Sequence, residues 1–225
     1  MDEEILEKVI LYLLVCGTYI SYFLQFFKIY KCRSVNGINE YMLIMGLLSS
    51  LFSFYSYILM YKTYSIDFIL QLTSPYVCSI ILYFMFYIYI NDEKCKKRYV
   101  NISIFHGIII CFMLLSVIID FNRNINGIIF SIFSVIFSIL MWLPQIKTTI
   151  DKNDCGALSI PMIFIHSIGC LIAVIFEIVF MKSSFYIPLT FIVSFVLEFY
   201  LFVICCYYEY KKHDIKDMDN YHSIN

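Results

Sequence analysis

The stretch Met141–Pro161, MWLPQIKTTIDKNDCGALSIP, leaves an apolar segment through Trp142-Leu143-Pro144-Gln145 and crosses a charged run. It re-enters apolar sequence at Gly156-Ala157-Leu158-Ser159-Ile160-Pro161. Pro144 cannot donate to the carbonyl of Leu140 and its ring crowds that turn, so the segment should kink one turn before its exit. Gln145 is placed to bond the carbonyls so freed, where water is scarce. A kink with a polar latch at the mouth of a helix bundle is what a gate needs, although a helix ending at an interface also tolerates Pro and Gln. The surrounding phase decides between these readings.

That phase is a membrane. The 225 residues are 61% hydrophobic and 15% charged, with 22 Phe and 20 Tyr. A water-soluble domain of this length cannot bury so much apolar side chain. Seven stretches, near 6–28, 41–60, 68–90, 102–119, 127–146, 160–181 and 186–208, are long enough at about 1.5 Å per residue to cross roughly 30 Å of hydrocarbon. The first is too long, and too poor in small residues beyond it, for a cleaved signal peptide. The aromatics are spread over all seven spans, as a lipid-facing surface and interfacial belt require. A net charge of −1 without a basic stripe implies no nucleic-acid partner.

Charge sets the orientation. Of the 16 Lys and Arg, only Lys8, Lys62, Arg123 and Lys182 fall on one face; the others cluster after spans one, three and five and in the tail. The positive-inside rule puts the N-terminus in a lumen or outside and the C-terminus in the cytosol. None of the nine Cys lies in the lumenal segments 1–5, 61–67, 120–126 or 182–185, so no lumenal disulfide is expected. No CxxC and no Cys/His spacing of the zinc type occurs, and neither metal nor cofactor is expected. Cys205 and Cys206 meet the cytosol as either palmitoylation sites or, more simply, small apolar residues. The sequon at Asn101 falls on the cytosolic side and should stay unmodified. Tyr221-His222-Ser223-Ile224 has the form of a tyrosine-based endosomal sorting signal.

An earlier counterpart of the opening stretch, YFLQFFKIYKCRSVNGINEYM, runs from Tyr22 to Met42. Setting Gln25 on Gln145 aligns Lys28 with Thr148, Arg33 with Asn153, Gly37 with Ala157 and Asn39 with Ser159, without a gap. Each copy leaves an odd-numbered span on the cytosolic side and is followed by two more spans. The chain is thus expected to be an all-α integral membrane protein of seven transmembrane helices. They form two parallel three-helix repeats joined by a linker helix. The expected boundaries are 1–92 for the first repeat, 93–120 for the cytosolic loop and linker, 121–210 for the second repeat and 211–225 for a cytosolic tail.

Helical spacing marks polar stripes. Span five carries Ser131, Ser134, Ser138, Trp142 and Gln145 on one face; span one carries Gly17, Ser21 and Gln25. Close packing through small residues and pore lining both fit such stripes. Span seven places Thr190, Ser194, Glu198 and Cys205 on one face, with Glu198 near the middle. An ionisable group at the bilayer centre costs roughly 2.5–3.5 kcal/mol on insertion scales, which makes it a functional candidate by default. It reads either as a solute- or proton-handling group or as a neutral structural one. Gln71, Ser74 and Cys78 share a face of span three, which Pro75 can kink. His166 lies on the stripe His166–Cys170–Ala173–Glu177, near the cytosolic entrance, and reads first as a satisfied core histidine.

The LPQI and GALS of the second copy, the LQFFKI and RSVNGIN of the first, and the three-one-three layout resemble the PQ-loop repeat proteins. That superfamily includes SWEET sugar carriers, cystinosin-type amino-acid exporters and the mannose-phosphate-dolichol utilisation defect protein. Leu24 stands where the family has proline, and the glycine of DCGALS comes one place early, which is closest to the dolichol-utilisation branch. The resemblance implies a transporter of a small polar organic solute, such as a sugar or amino acid, that rocks one triplet against the other and can be proton-coupled. Pro144, Gln145 and Gln25 would be hinge and gate positions. Glu198 would stand where the family places a solute-binding asparagine, with Ser194, Trp142, Ser138, Gln71 and Ser74 around it. The expected partners are the solute and the bilayer, with room for a homo-oligomer, and the expected location is an internal membrane, ER or endolysosomal. A non-transporting ER accessory of dolichol-linked sugar use and a seven-helix receptor are the alternatives. No nucleophile with a base partner and no phosphate loop appears, so the chain is not expected to be an enzyme.

Overall fold

The computed structural model describes residues 3–60, 66–118, 122–182 and 185–223. Among them the chain forms seven helices: α1 (Glu3–Cys32), α2 (Glu40–Met60), α3 (Ile66–Tyr89), α4 (Glu93–Ile118), α5 (Arg123–Lys152), α6 (Ile160–Val179) and α7 (Tyr186–Ser223). Six, all but α4, are long and apolar enough to cross a membrane. Most of the remaining expected span, 102–119, falls on α4. That helix opens on the charged run Glu93–Arg98 and continues through mostly apolar sequence from Tyr99 to Ile118. The expected sorting signal reaches Ile224, which lies outside the described residues.

The six long helices close a ring in the order α2, α3, α1, α6, α7, α5 and back to α2, with α4 outside it against α2. Exchanging α1 with α5, α2 with α6 and α3 with α7 maps every neighbour pair of this ring onto another. Within it, burial is inverted relative to a water-soluble bundle. α5 turns Ser131, Ser134, Ser138, Gln145 and Thr149 inward and leaves Ile132, Ile136, Leu140 and Leu143 exposed. Phe23, Phe27 and Tyr30 form a similar outward strip on α1. Such a surface suits hydrocarbon and not water.

The small residues of the α5 stripe divide between two tasks. Ser134 donates to the Ser49 carbonyl at 2.8 Å and Ser49 donates back to the Ser134 carbonyl at 3.0 Å, so α2 and α5 are tied by a reciprocal pair. Two turns away along the same seam, Ser56 donates to the Gly127 carbonyl at 2.8 Å. These bonds need close backbone approach, which serine and glycine permit. Ser138 and Trp142, further along, face the interior space described below.

The loops after α1 and α5 are built alike. Arg33 and Asn153, the aligned pair, both end their helices in the left-handed conformation, at φ of 47° and 49°. Asn153 returns its N–H to the Ile150 carbonyl. Ser159 then caps α6 by accepting from the Met162 N–H, and Pro161 sits in the first turn, where no donor is lost. The two loops meet backbone to backbone at Gly37 (φ 97°) and Gly156 (φ 55°). A Cβ on Gly37 would lie 2.8 Å from the Cys155 carbonyl oxygen, and one on Gly156 only 2.2 Å from that of Asn36. The early glycine of DCGALS is therefore a contact requirement.

Candidate functional site

Gln25 and Gln145 are buried, and although Gln145 also donates to the Thr149 hydroxyl of its own helix at 3.3 Å, the shorter bonds of both lead elsewhere. The Gln25 amide donates to the Ala157 carbonyl at 2.8 Å and accepts from the Ser159 N–H at 2.7 Å. The Gln145 amide donates to the Gly37 carbonyl at 2.8 Å and accepts from the Asn39 N–H at 2.7 Å. Each glutamine thus holds the other copy's loop, through partners that the sequence alignment pairs: Gly37 with Ala157 and Asn39 with Ser159. This corrects the expectation for Gln145, which latches across the bundle instead of onto carbonyls freed in α5. Pro144 lies inside α5, which continues for two more turns to Lys152, so it does not mark a helix end. Its carbonyl accepts from the Thr148 hydroxyl at 2.9 Å, and Thr148 in turn accepts from the Asn39 amide.

Lys28 adds a bond to the Leu158 carbonyl at 2.6 Å. At the loop's outer edge, burial alone would push the Asp154 carboxyl up. The backbone N–H of Gly156, the Lys212 ammonium 3.5 Å away and the Cys155 N–H outweigh it and hold the group below its ordinary value. The loop end of the ring is therefore closed by directional polar contacts. At the opposite end Leu11, Tyr57, Leu72 and Phe176 form a separate, apolar closure.

Between the two closures lies a cavity of about 390 Å³, within the range of small-molecule sites. Of the expected site residues, Ser138, Trp142, Gln71, Ser194 and Glu198 line it. Ser74 does not: it is buried against α3 itself, donating to the Gln71 carbonyl at 3.0 Å. Ser138 and Ser194 are joined hydroxyl to hydroxyl at 2.6 Å across α5 and α7. Glu198 is fully buried, with Oε2 2.8 Å from His166 Nδ1. Cys170 donates to its Oε1 at 3.9 Å, and the Trp142 side chain adds a further hydrogen bond to the carboxyl. Tyr22 stands edge-on to the His166 ring at 6.0 Å and is itself fixed by a 2.8 Å bond to Ser79.

His166 is thus a satisfied histidine, and the partner that satisfies it, which the sequence did not name, is Glu198. The signal lay in the spacing of His166 and Cys170, four residues apart on one stripe. What spacing alone could not supply was that α6 packs along α7 with that stripe facing Glu198. Likewise His166, Cys170 and Glu198 form a set of three potential metal ligands that no motif in the sequence groups together. Cys205 is buried and Cys206 exposed, so only the second of that pair is open to modification.

Residues 127–186 match the family model described as PQ loop repeat. No curated protein matches the sequence. The chain is similar in fold to a eukaryotic SWEET transporter solved at 3.7 Å resolution, with a TM-score of 0.61 at 12% identity. The match covers 91% of this chain and 99% of that one. Residues 127–186 thus form a PQ loop repeat, carried in a multi-pass integral membrane protein that shares the SWEET transporter fold.

Proposed function

We propose that the chain transports a small polar organic solute by alternating access, with the cavity as its binding site. The observation that carries this reading is a largely apolar cavity holding a few convergent polar groups and the Glu198 carboxyl, between two closures of different chemistry. Hydrogen bonds from Gln25 and Gln145 seal one end, and an apolar cluster seals the other. Directional bonds break together when two rigid halves separate, so the glutamine latch is suited to a two-state element. The halves are α1–α3 and α5–α7, a three-one-three arrangement with α4 as linker. The exchange symmetry of the helix ring and the matched glutamine partners support it. Pro144 is the hinge in this reading, Gln25 and Gln145 the gate, and Glu198 with Ser194, Trp142, Ser138 and Gln71 the solute-facing set. Trp142 offers an apolar face to a sugar ring or side chain, and the serines and Glu198 offer hydrogen bonds.

The count of Lys and Arg supports a latch end and C-terminus in the cytosol and an N-terminus on the other side, and an internal membrane is part of the proposal. The test is a thermal-shift screen of purified protein against sugars, amino acids and amines, followed by uptake into proteoliposomes. A true solute raises the melting temperature of the native chain and loses much of that effect in Ser194→Ala. The glycine spacing of Cys155-Gly156-Ala157 favours a second reading, an accessory of dolichol-linked sugar use. That reading predicts no uptake of any of the three solute classes.

A further inference from the structure

We infer that His166, Cys170 and Glu198 form a binding site for a divalent transition-metal ion of the zinc type, with its fourth coordination position open to the cavity. The ligand atoms stand 2.8 Å (Nδ1 to Oε2), 3.9 Å (Sγ to Nδ1) and 3.9 Å (Sγ to Oε1) apart. A tetrahedral zinc ion with bonds of about 2.05 Å to N and O and 2.3 Å to S separates its ligands by roughly 3.3 Å for N to O and 3.6 Å for S to either. The carboxylate meets the imidazole through one oxygen and the thiol through the other. One ligand atom from each residue lies within 4.8 Å of the others, so side-chain rotation suffices to bring the set to the bound geometry. The three residues come from only two helices, α6 and α7, which pack along each other, so no rearrangement of the ring is needed.

Donor chemistry narrows the ion. One imidazole, one thiolate and one carboxylate suit zinc, cobalt(II) or iron(II). They do not suit magnesium or calcium, which take oxygen shells, and a single sulfur is a poor site for copper(I). Charge agrees. With the imidazole neutral and the thiol and carboxyl deprotonated, the site carries two negative charges that a divalent ion cancels, which favours occupancy at membrane depth. The ring is also held in place, by Tyr22 edge-on at 6.0 Å and Trp142 at 6.4 Å. All three ligand residues line the cavity, so the ion has space for a water or solute atom as its fourth ligand. This inference goes beyond solute transport and stands whether or not an organic solute is moved.

The test uses purified protein in detergent, titrated with Co²⁺ and back-titrated with Zn²⁺. Expected are one Co²⁺ per chain, a near-ultraviolet thiolate-to-cobalt band, intense visible d–d bands of tetrahedral type, and loss of all three on adding Zn²⁺. The thiolate band should vanish in Cys170→Ser, and Glu198→Gln should weaken binding tenfold or more. A measurement on the native chain needs no variant. Zn²⁺ should protect Cys170 from alkylation, read at its own peptide by mass spectrometry, and a chelator should restore reactivity. An unchanged cobalt spectrum in Cys170→Ser, or alkylation of Cys170 at equal rates with and without Zn²⁺, would overturn the assignment.

Discussion

Replacing Gln145 by Leu should open the loop that follows α1. The side chain is fully buried and bonds both the Gly37 carbonyl and the Asn39 N–H. Leucine fills a similar volume but leaves both backbone groups without a partner. Each such loss costs about 1–3 kcal/mol when water cannot take over. Gly37 is buried, whereas Asn39 is half-exposed, so the sum should fall near 2–3 kcal/mol. At about 1.4 kcal/mol per factor of ten, local opening becomes roughly 30- to 150-fold more frequent. Amide hydrogen exchange followed by mass spectrometry reads this directly, in a peptide covering residues 36–41. Gln25→Leu should do the same for a peptide around Ser159, because its bonds are the matched ones. If residues 36–41 exchanged at the native rate in Gln145→Leu, the latch would be a bystander and the gate reasoning wrong.

Other expectations are shorter to state. Gly156→Ala puts a Cβ 2.2 Å from the Asn36 carbonyl at φ 55°, so it should lower stability by roughly 1–3 kcal/mol in a denaturation assay. Gly17→Ala, with nothing within 4 Å, should be neutral to about 0.5 kcal/mol. Glu198→Leu removes the partner of His166 from a buried pair and should cost about 3–5 kcal/mol, most of which Glu198→Gln retains. In uptake assays with and without a pH gradient, Glu198→Gln should keep counterflow and lose gradient-driven accumulation if Glu198 exchanges a proton. Pro144→Ala should leave the protein folded and slow the exchange of states, measured as a lower uptake rate at unchanged expression. The depressed Asp154 carboxyl makes its contribution to the loop full above the ordinary carboxylate range. It fades as pH falls, by under about 1 kcal/mol because the pair with Lys212 is exposed.

The helices and their polar faces were legible because membrane segments announce themselves by length and by an apolar exterior. Gln25 and Gln145 were also legible, since an ungapped alignment singled out the same amide twice. Their bonding was not. Hydrogen-bond partners more than a hundred residues away depend on which loops the helix ring brings together, as Gln145 with Gly37 shows. The start of α4 was not legible, because its helix begins inside the charged run of Lys96, Lys97 and Arg98, ahead of the apolar stretch. Glu198 was found by its cost in a bilayer, while His166 was hidden by being read against its own helix only. Ser74 shared a stripe with Gln71, but its hydroxyl was taken by the backbone one turn back.

The central claim is that one cavity opens in turn to both sides of the membrane. Ser194→Cys places a thiol among the cavity-lining residues, opposite Ser138. Vesicles of known orientation, treated on one face at a time with a membrane-impermeant maleimide, test the claim without any knowledge of the solute. The account predicts labelling of Cys at 194 from both faces, with the rate from the loop face rising in Gln145→Leu. Labelling from one face only, unaltered by that latch variant, would contradict it.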